Sequence, residues 1–263
     1  MKIYTLGTSG GTKPYKGFHH TCLALETNDK LYWFDAGECG AYTAHIHGVD
    51  LLKTRAIFIT HPHMDHIGGL GNLLWYIRKI GIISRDERIK GKNIDIFCPC
   101  TESVDAVMTL LKNTEGDFIC NYDHTTHQIR DGLVYQTYGS AGNFAVTAVH
   151  TTHMTPDIQG HFRSYAYRVE CEKKMIVFSG DIRLEDFEHV LPEHADAFFI
   201  ETGHHKIEDI KRSLDYYEKQ VDRVFFVHHG GYIMKDIASA KERVNAVFGE
   251  NATLCLDGMT FEI

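Results

Sequence analysis

The 263-residue chain lacks an apolar run of the roughly 18 residues that a membrane-spanning helix needs. Its first residues are predicted to enter a strand directly, without the basic and then apolar segments of a secretion signal. Low-complexity tracts, long linkers and short-period repeats are also missing. We therefore expect a cytoplasmic, single-domain protein over residues 1–263, and its 43 % hydrophobic and 24 % charged residues are ordinary for a globular enzyme.

The chain also lacks a disulfide framework. Its seven cysteines are an odd number at irregular spacing, so we expect thiols in a reducing compartment, most of them in the core. Cys98-Pro99-Cys100 is one residue shorter than the Cys-x-x-Cys motif and follows a predicted strand. This segment is therefore predicted to carry structural thiols instead of a redox or metal pair.

An excess of positive charge is missing as well. The formal net charge of −8 argues against an extended nucleic-acid footprint, because affinity for long polyanions depends on many Lys and Arg contacts with phosphate. A small anionic substrate stays compatible with this charge, since divalent cations reverse the local sign within a cleft. The short basic cluster Arg85–Lys92 is predicted to be a solvated loop.

Short apolar runs and helical periodicity predict a mixed α/β chain. Strands are predicted near residues 3–7, 20–26, 31–35, 56–60, 94–98, 134–138, 144–152, 163–171, 175–179, 197–200, 223–227 and 253–256. Helices are predicted near 69–80, 103–112, 207–219 and 236–248. This order indicates two sheets packed face to face with helices outside. The longer connections at 7–20, 81–93 and 113–132 are expected to border the active site or a partner.

The run from Thr60 to His66 places three imidazoles and a carboxylate between a predicted strand and a predicted helix. In extended backbone, residues i and i+2 point the same way, so His61 and His63 can converge on one ion. Asp65 and His66 lie past the bend and can reach a second ion. Imidazole and carboxylate ligands suit Zn²⁺, with Mn²⁺ or Fe as alternatives, so the run predicts a centre for two divalent metal ions. The alternative is a solvated histidine-rich loop.

Two ions need more ligands, and later strands end in suitable residues. One predicted strand ends near His150 and His153, another ends at Asp181, and a third ends at His228 and His229. From the residues alone, either histidine of each pair can be the ligand.

The order His-x-His-x-Asp-His, a distant His, a later Gly-Asp and a final His resembles the signature of the metallo-β-lactamase fold superfamily. The segments Ile3–Gly11 and Trp33–Gly37 resemble that family's first strands and its buried Asp-x-Gly turn. The resemblance spans nearly the whole chain. It implies a four-layer αββα sandwich, of class α/β (α+β), with metals at one edge.

Residue by residue, the resemblance implies one metal on His61, His63 and His153, the other on Asp65, His66 and His228, and Asp181 bridging them. The family pattern favours His153 over His150 and His228 over His229. An alignment of Arg55–His61 with Arg223–His229 hints at an internal duplication, and it would instead match His229 to His61.

Among the branches of this family, the Gly7-Thr8-Ser9 opening, the segment from Asp35 to Glu38, and the use of His66 with Asp181 most resemble the ribonuclease-Z-like phosphodiesterases. That branch includes enzymes that open cyclic nucleotides, among them phage-encoded ones that remove bacterial defence signals. The chain shows no obvious long insertion like the transfer-RNA-gripping arm of ribonuclease Z. The resemblance also implies a homodimer, because members of the branch are often dimers.

These observations predict a dinuclear metal-dependent hydrolase, a phosphodiesterase acting on a small cyclic nucleotide. The alternatives are a hydrolase of lactones or thioesters, an RNA-processing nuclease, and a metal-binding protein without catalysis. Two cations that share a carboxylate can activate a water, and Asp65 is expected to orient that water as well as bind metal. Asp35 is expected either to hold a ligand histidine or only to stabilise its turn.

The sequence also offers candidates for the general acid that protonates the leaving group. Ribonuclease Z and its relatives carry a catalytic histidine immediately before a comparable Glu, but here Ile200 precedes Glu201. His204 or His205 is therefore the candidate general acid, because an imidazole has a suitable pKa. The alternative is that both are surface loop residues.

Overall fold

The computed structural model describes residues 1–11, 13–139 and 142–263. The strands are β1 (Lys2–Gly7), β2 (Cys22–Thr27), β3 (Lys30–Phe34), β4 (Thr54–Phe58), β5 (Asn93–Cys98), β6 (Asp123–Gln128), β7 (Gly132–Gly139), β8 (Gly142–His150), β9 (Tyr165–Cys171), β10 (Lys174–Phe178), β11 (His194–Thr202), β12 (Gln220–His229), β13 (Ala252–Leu254) and β14 (Met259–Glu262).

The helices are α1 (Gly40–Ile46), α2 (Met64–Ile67), α3 (Leu70–Ile83), α4 (Thr101–Lys112), α5 (Phe187–Val190), α6 (Ile207–Tyr216), α7 (Gly231–Met234) and α8 (Ile237–Phe248). Short 3₁₀ turns cover Leu51–Lys53, Glu87–Ile89, Glu115–Phe118, Leu184–Asp186 and Gly249–Asn251. Within the described ranges, no helix is both long enough and apolar enough to cross a membrane.

The strands form two sheets. One has the order β14-β1-β2-β3-β4-β5-β6 and the other the order β13-β12-β11-β10-β9-β8-β7. Strands β3 to β6 pair in parallel, as do β10 to β13. The carboxyl ends of parallel strands meet at one edge of a sheet, which is where open α/β sheets place their binding sites.

Buried apolar residues form three layers. Trp33 and Leu74 belong to the layer between the first sheet and the helices α1, α3 and α4. Phe34 and Phe178 belong to the layer between the sheets, where their rings stack 3.9 Å apart. Phe198 belongs to the layer between the second sheet and the helices α5, α6 and α8. The predicted four-layer αββα sandwich is confirmed.

Some elements differ from the sequence-based prediction. The connection expected at 113–132 contains β6, whose polar sequence Asp-His-Thr-Thr-His-Gln shows no apolar alternation because it is a largely exposed edge strand. Helix α1 and strand β14 were not predicted. Strands β8 and β10 end three residues before His153 and Asp181, which therefore lie in loops beyond the strand ends. Thr12, in the connection expected at 7–20, lies outside the described residues.

The cysteines follow the prediction of core thiols. All seven are free, four are buried and three are partly buried. Cys98 is buried, and its thiol donates a hydrogen bond to the carbonyl oxygen of Cys100 (3.2 Å).

Candidate metal centre

The histidine-rich run is the connection between β4 and α2, at the carboxyl edge of the first sheet. Thr60 holds it in place, because its backbone N–H donates to Asp35 Oδ1 (2.8 Å). His63 keeps extended backbone (φ −65°, ψ 146°) as the residue before α2, and Asp65 and His66 lie in the helix itself. The bend therefore separates His61 and His63 from Asp65 and His66, as the spacing predicts.

The structure brings the predicted residues into two groups that share one edge of the sandwich. The potential ligand atoms of each group lie within 4.8 Å of one another; the first group is His61, His63, His153 and Asp181, and the second is Asp65, His66 and His228. Tetrahedral zinc, at about 2.0–2.1 Å from each nitrogen or oxygen, separates its ligands by about 3.4 Å. The described side chains are therefore spaced as ligands of a metal ion are.

Asp181 faces both groups with different oxygens. Its Oδ2 lies 3.6 Å from His61 Nε2 and 3.5 Å from His153 Nε2. Its Oδ1 lies 3.2 Å from both His66 Nε2 and His228 Nε2. This geometry suits a carboxylate that bridges two cations.

Buried polar atoms in the second group support a cation there. His66 Nε2 and Asp181 Oδ1 are buried and lie 3.2 Å apart, yet among the described residues neither atom forms a hydrogen bond, a rare condition in folded proteins. Burial by itself would raise the pKa of Asp181, but His228 and His66 hold that pKa well below its ordinary value. The carboxylate is thus charged, and a metal ion would satisfy these atoms.

The structure brings His153, not His150, to the first group. His153 Nε2 lies 3.4 Å from His63 Nδ1. His150 is the last residue of β8, where its Nδ1 hydrogen-bonds Asp131 Oδ2 (2.9 Å) and its ring stacks on Phe162. His150 is thus held away from the ligands.

The structure brings His228, not His229, to the second group. A register shift between β11 and β12 accompanies the left-handed backbone of His228 (φ 47°), a conformation that costs energy and is concentrated at functional sites. His229 has both ring nitrogens occupied, Nδ1 by Thr202 Oγ1 and Nε2 by the carbonyl oxygen of Cys255, each at 2.8 Å. Burial lowers the pKa of His229 to about 4, so its imidazole is neutral.

Three glycines pack directly against the second group. A Cβ atom at Gly10 would lie 2.8 Å from His228 Cε1, and one at Gly203 would lie 2.6 Å from His228 Nδ1. A Cβ atom at Gly11 would lie 2.9 Å from Asp65 Oδ2. These positions leave no room for a side chain, which the sequence alone did not indicate.

Gly203→Ala should therefore disturb one metal position selectively. The new methyl group has to displace the His228 ring, and we expect the metal content to fall from about two ions per chain to about one. Elemental analysis after gel filtration measures this content. Gly71→Ala, in α3 where the new Cβ atom would make only an ordinary contact with Val107 (3.5 Å), is the control for a general effect of alanine on stability. Equal metal content in Gly203→Ala and the wild type would contradict the expected displacement.

Asp35 combines the two roles that were considered for it. It has left-handed backbone (φ 62°) in the turn after β3, and its Oδ2 accepts a hydrogen bond from His66 Nδ1 (2.7 Å). That bond fixes the tautomer of His66 and directs Nε2 toward the centre. The same carboxylate accepts from Thr60, so one side chain orients both the ligand and its loop.

Asp35→Asn is expected to weaken metal binding by about 10- to 100-fold, as loss of such a partner commonly does. Asparagine tolerates the left-handed backbone, so the change tests the carboxylate more than the turn. A competition titration with a chromophoric chelator measures the affinity. Asp131→Asn is the matched control, because Asp131 pairs with His150, which lies outside both groups. Equal affinities in the two variants would contradict this role of Asp35.

His204 and His205 differ in position. The His204 ring is 46 % exposed, with its centroid 5.1 Å from that of His153 and 5.9 Å from that of His228. His205 Nε2 instead donates to the carbonyl oxygen of Ile182 (2.6 Å). His204 therefore lies at the rim between the two groups. The Nε2 atom of His205 is instead occupied by the backbone of Ile182.

In the sequence, Glu201 served only to align the chain with ribonuclease Z and had no predicted role. In the structure Glu201 is buried beside the centre. Its Oε1 accepts from His204 Nδ1 and its Oε2 from the backbone N–H of His204, both at 2.9 Å. Burial by itself would raise the pKa of Glu201, but His204 and His228 lower it to about 2. The hydrogen bond to this charged carboxylate raises the pKa of His204. The available signal was an acidic residue directly after the apolar run Phe198–Ile200, still within β11.

Comparisons with known proteins agree with the fold and the order of the motif. Residues 1–87 match the family model described as Anti-Pycsar protein Apyc1. Ribonuclease Z of Methanothermobacter thermautotrophicus is 30 % identical over 155 residues, which are 58 % of this chain and 45 % of that protein. Ribonuclease Z of Pyrococcus furiosus is 25 % identical over 250 residues, 90 % and 76 % of the two chains. The chain spans about half the length of the first ribonuclease Z relatives it matches.

Solved structures share the architecture. The short form of human tRNase Z superposes with a TM-score of 0.73 at 17 % identity, covering 100 % of this chain and 99 % of that one. The metallo-β-lactamase fold protein YhfI from Bacillus subtilis gives 0.70 at 15 % identity, with 99 % and 98 % covered. Unliganded yeast PDE1 gives 0.57 at 14 % identity, with 98 % of both chains covered. The predicted metallo-β-lactamase fold and the resemblance to its ribonuclease-Z-like branch are confirmed.

Proposed function

We propose that the chain is a dinuclear metal-dependent phosphodiesterase that opens the phosphodiester ring of a small cyclic nucleotide. The observation that carries this proposal is Asp181, which turns one oxygen to each of the two ligand groups. The match of residues 1–87 to the Anti-Pycsar Apyc1 family supports a cyclic nucleotide as substrate. The ribonuclease Z relatives support attack on a phosphodiester.

Seven side chains would hold the two ions: His61, His63, Asp65, His66, His153, Asp181 and His228. Imidazole and carboxylate donors suit Zn²⁺ best, with Mn²⁺ or Fe as alternatives. When bound, two such ions lower the pKa of a shared water and stabilise negative charge on the phosphoryl oxygens.

The chain's own residues then supply orientation and a proton. Asp65, with its Oδ2 3.1 Å from His228 Nε2, is placed to orient the attacking water. Glu201 accepts a hydrogen bond from the Nδ1–H of His204. The other ring nitrogen, Nε2, can then hold the proton that is donated to the leaving oxygen. One P–O bond forms to water and one breaks, and the product is a linear nucleoside monophosphate.

The same centre is compatible with two alternative functions. A lactone or thioester hydrolase would use the ions to attack carbon, and an RNA-processing nuclease is favoured by the ribonuclease Z relatives. The net charge of −8 favours a small substrate over a long RNA.

We also propose a homodimer in the cytoplasm. Exposed apolar side chains on neighbouring helices, Tyr42 and Ile46 on α1 and Ile83 on α3, support an interface between subunits. Seven free thiols support a reducing compartment. Light scattering after gel filtration tests the dimer, and a monomeric mass would contradict it.

A panel of substrates tests the proposed function. Zinc- or manganese-loaded protein is incubated with cyclic mononucleotides, a lactone, a thioester and a precursor transfer RNA. Turnover of a cyclic nucleotide to the linear monophosphate supports the proposal. Turnover confined to the carbonyl substrates or to the RNA contradicts it and selects the corresponding alternative.

A further inference from the structure

The first residues of the connection between β1 and β2 contact the candidate centre. The backbone N–H of Gly10 donates to the carbonyl oxygen of His229 (3.0 Å), and Ser9 forms bridges with both His20 and His229. Gly11 follows, packed on the Asp65 carboxylate. The first residues of this connection therefore have a fixed position beside the second ligand group.

Farther along, the same connection carries a cation and an aromatic ring. Lys13 Nζ lies 5.6 Å from the centroid of the Tyr15 ring, within the range of a cation–π contact. Tyr15 is partly buried, and a turn closes after it because the N–H of Phe18 donates to the carbonyl oxygen of Tyr15 (3.2 Å). The phenol is thus held by its neighbours while part of its surface faces solvent.

Tyr15 also contacts α7, the helix that directly follows β12 and its His228. A Cβ atom at Gly231 would lie 3.5 Å from the Tyr15 hydroxyl oxygen. The next residue, Tyr232, donates from its hydroxyl to the carbonyl oxygen of His205 (2.8 Å), which ties α7 to the segment that carries His204. The connection therefore runs from Asp65 to the His204 side of the centre, and Tyr15 stands at that end.

The position of Tyr15 relative to His204 determines what it can contact. The leaving oxygen of the substrate has to lie near His204, and in a cyclic nucleotide the ribose joins that oxygen to the base. The base therefore lies one ribose away from the leaving oxygen, and Tyr15 is the aromatic residue at that end of the β1–β2 connection. Aromatic side chains bind bases by stacking on the π-face that every base presents.

We propose that Tyr15 is a specificity-determining residue whose ring stacks on the nucleobase of the substrate, with Lys13 fixing that ring and adding positive charge beside the phosphate. This inference rests on the proposed function and deepens it, because it requires the substrate to carry a base. It assigns recognition of the nucleoside to the β1–β2 connection and the chemistry to the ligand groups.

The test compares substrates with and without a base. Kinetics are measured for the wild type, Tyr15→Ala and Tyr15→Phe on a purine cyclic mononucleotide and on 1-O-methylribose 3′,5′-cyclic phosphate, which lacks the base. We expect Tyr15→Ala to raise KM for the nucleotide about tenfold, the size of effect that one stacked base produces, with little change in kcat. Tyr15→Phe should keep the wild-type KM, and the base-free compound should not distinguish the three proteins. Tyr138→Ala, at an exposed tyrosine on β7, is the matched control.

The outcomes separate this inference from the proposed function. Turnover of cyclic nucleotides with an unchanged KM in Tyr15→Ala overturns the inference alone, and so does an equal loss on the base-free compound. No turnover of any cyclic nucleotide by the wild type overturns the proposed function and the inference with it. If Tyr15→Ala does not fold, Tyr15→Leu serves instead, because leucine fills much of the same volume but has no π-face; we expect a higher KM for the nucleotide and no change for the base-free compound. An unchanged KM for the nucleotide overturns the inference.

Discussion

Asp181→Ala is expected to lower kcat/KM for a cyclic nucleotide by at least about a thousandfold and to reduce the bound metal from about two ions per chain to one or fewer. The reason is geometric, because Asp181 is the only described residue that faces both ligand groups with separate oxygens. Losing it would remove a ligand from each of the two proposed ions, which would supply several kcal/mol of transition-state stabilisation, at about 1.4 kcal/mol for each factor of ten.

Two further variants make the Asp181 prediction specific. Asp181→Asn keeps the shape but loses the charge, so it should retain more metal than the alanine variant while still losing most activity. His150→Ala removes a histidine that points to Asp131 and should keep both the metal and the rate. Full activity in Asp181→Ala, or equal damage in His150→Ala, would contradict the assignment of the ligand groups.

His204→Ala is expected to lower kcat by about 10² to 10⁴, the usual contribution of a general acid, while the metal content stays at the wild-type value. His204 lies at the rim, and its ring is committed through Nδ1 to Glu201 instead of a metal position. A parallel loss of metal would contradict this role and would instead make His204 a ligand with Asp181 and His228, near which it also lies.

The pH dependence gives a second test of His204. A general acid works in its protonated form, so the rate should fall as pH rises through the pKa of His204. The hydrogen bond that His204 Nδ1 donates to Glu201 raises that pKa, and Glu201→Gln removes the negative charge that does so. The alkaline limb of the pH–rate profile should therefore move to lower pH in Glu201→Gln, measured at equal metal loading, and an unmoved limb would contradict the coupling.

Much of the grouping of the candidate ligands could be predicted because those of the first loop are adjacent in sequence. The spacing of His61, His63, Asp65 and His66 and the bend between the pairs follow from local backbone geometry. Asp181 was predicted as the polar end of a buried strand, and the structure places it beside both groups, in the loop three residues after β10.

The remaining choices depended on contacts that no local pattern contains. His228 faces the centre because its own backbone is left-handed and the register between β11 and β12 shifts at this point. Neither feature can be read from the sequence, in which His228 and His229 are equally suitable. Glu201 lies in an apolar strand, and its importance comes from the loop that returns His204 onto it. The glycines at 10 and 203 matter only because chain segments distant in sequence meet at His228.

In the fold too, the elements set by local sequence could be predicted and those set by contacts with other segments could not. Apolar strands and amphipathic helices were predictable from their periodicity, since burial determines it. Strand β6 was not, because an edge strand with a polar sequence is held by its pairing with β5 and buries little apolar surface.

The most direct test of the central claim is the anomalous-scattering map of crystals of the zinc-loaded protein, measured above and below the zinc edge. We expect two zinc peaks about 3.5–4 Å apart, the separation of bridged two-metal sites, one on each side of the Asp181 carboxylate. A single peak, or two peaks that do not share Asp181, would contradict the dinuclear centre on which the proposed phosphodiesterase depends.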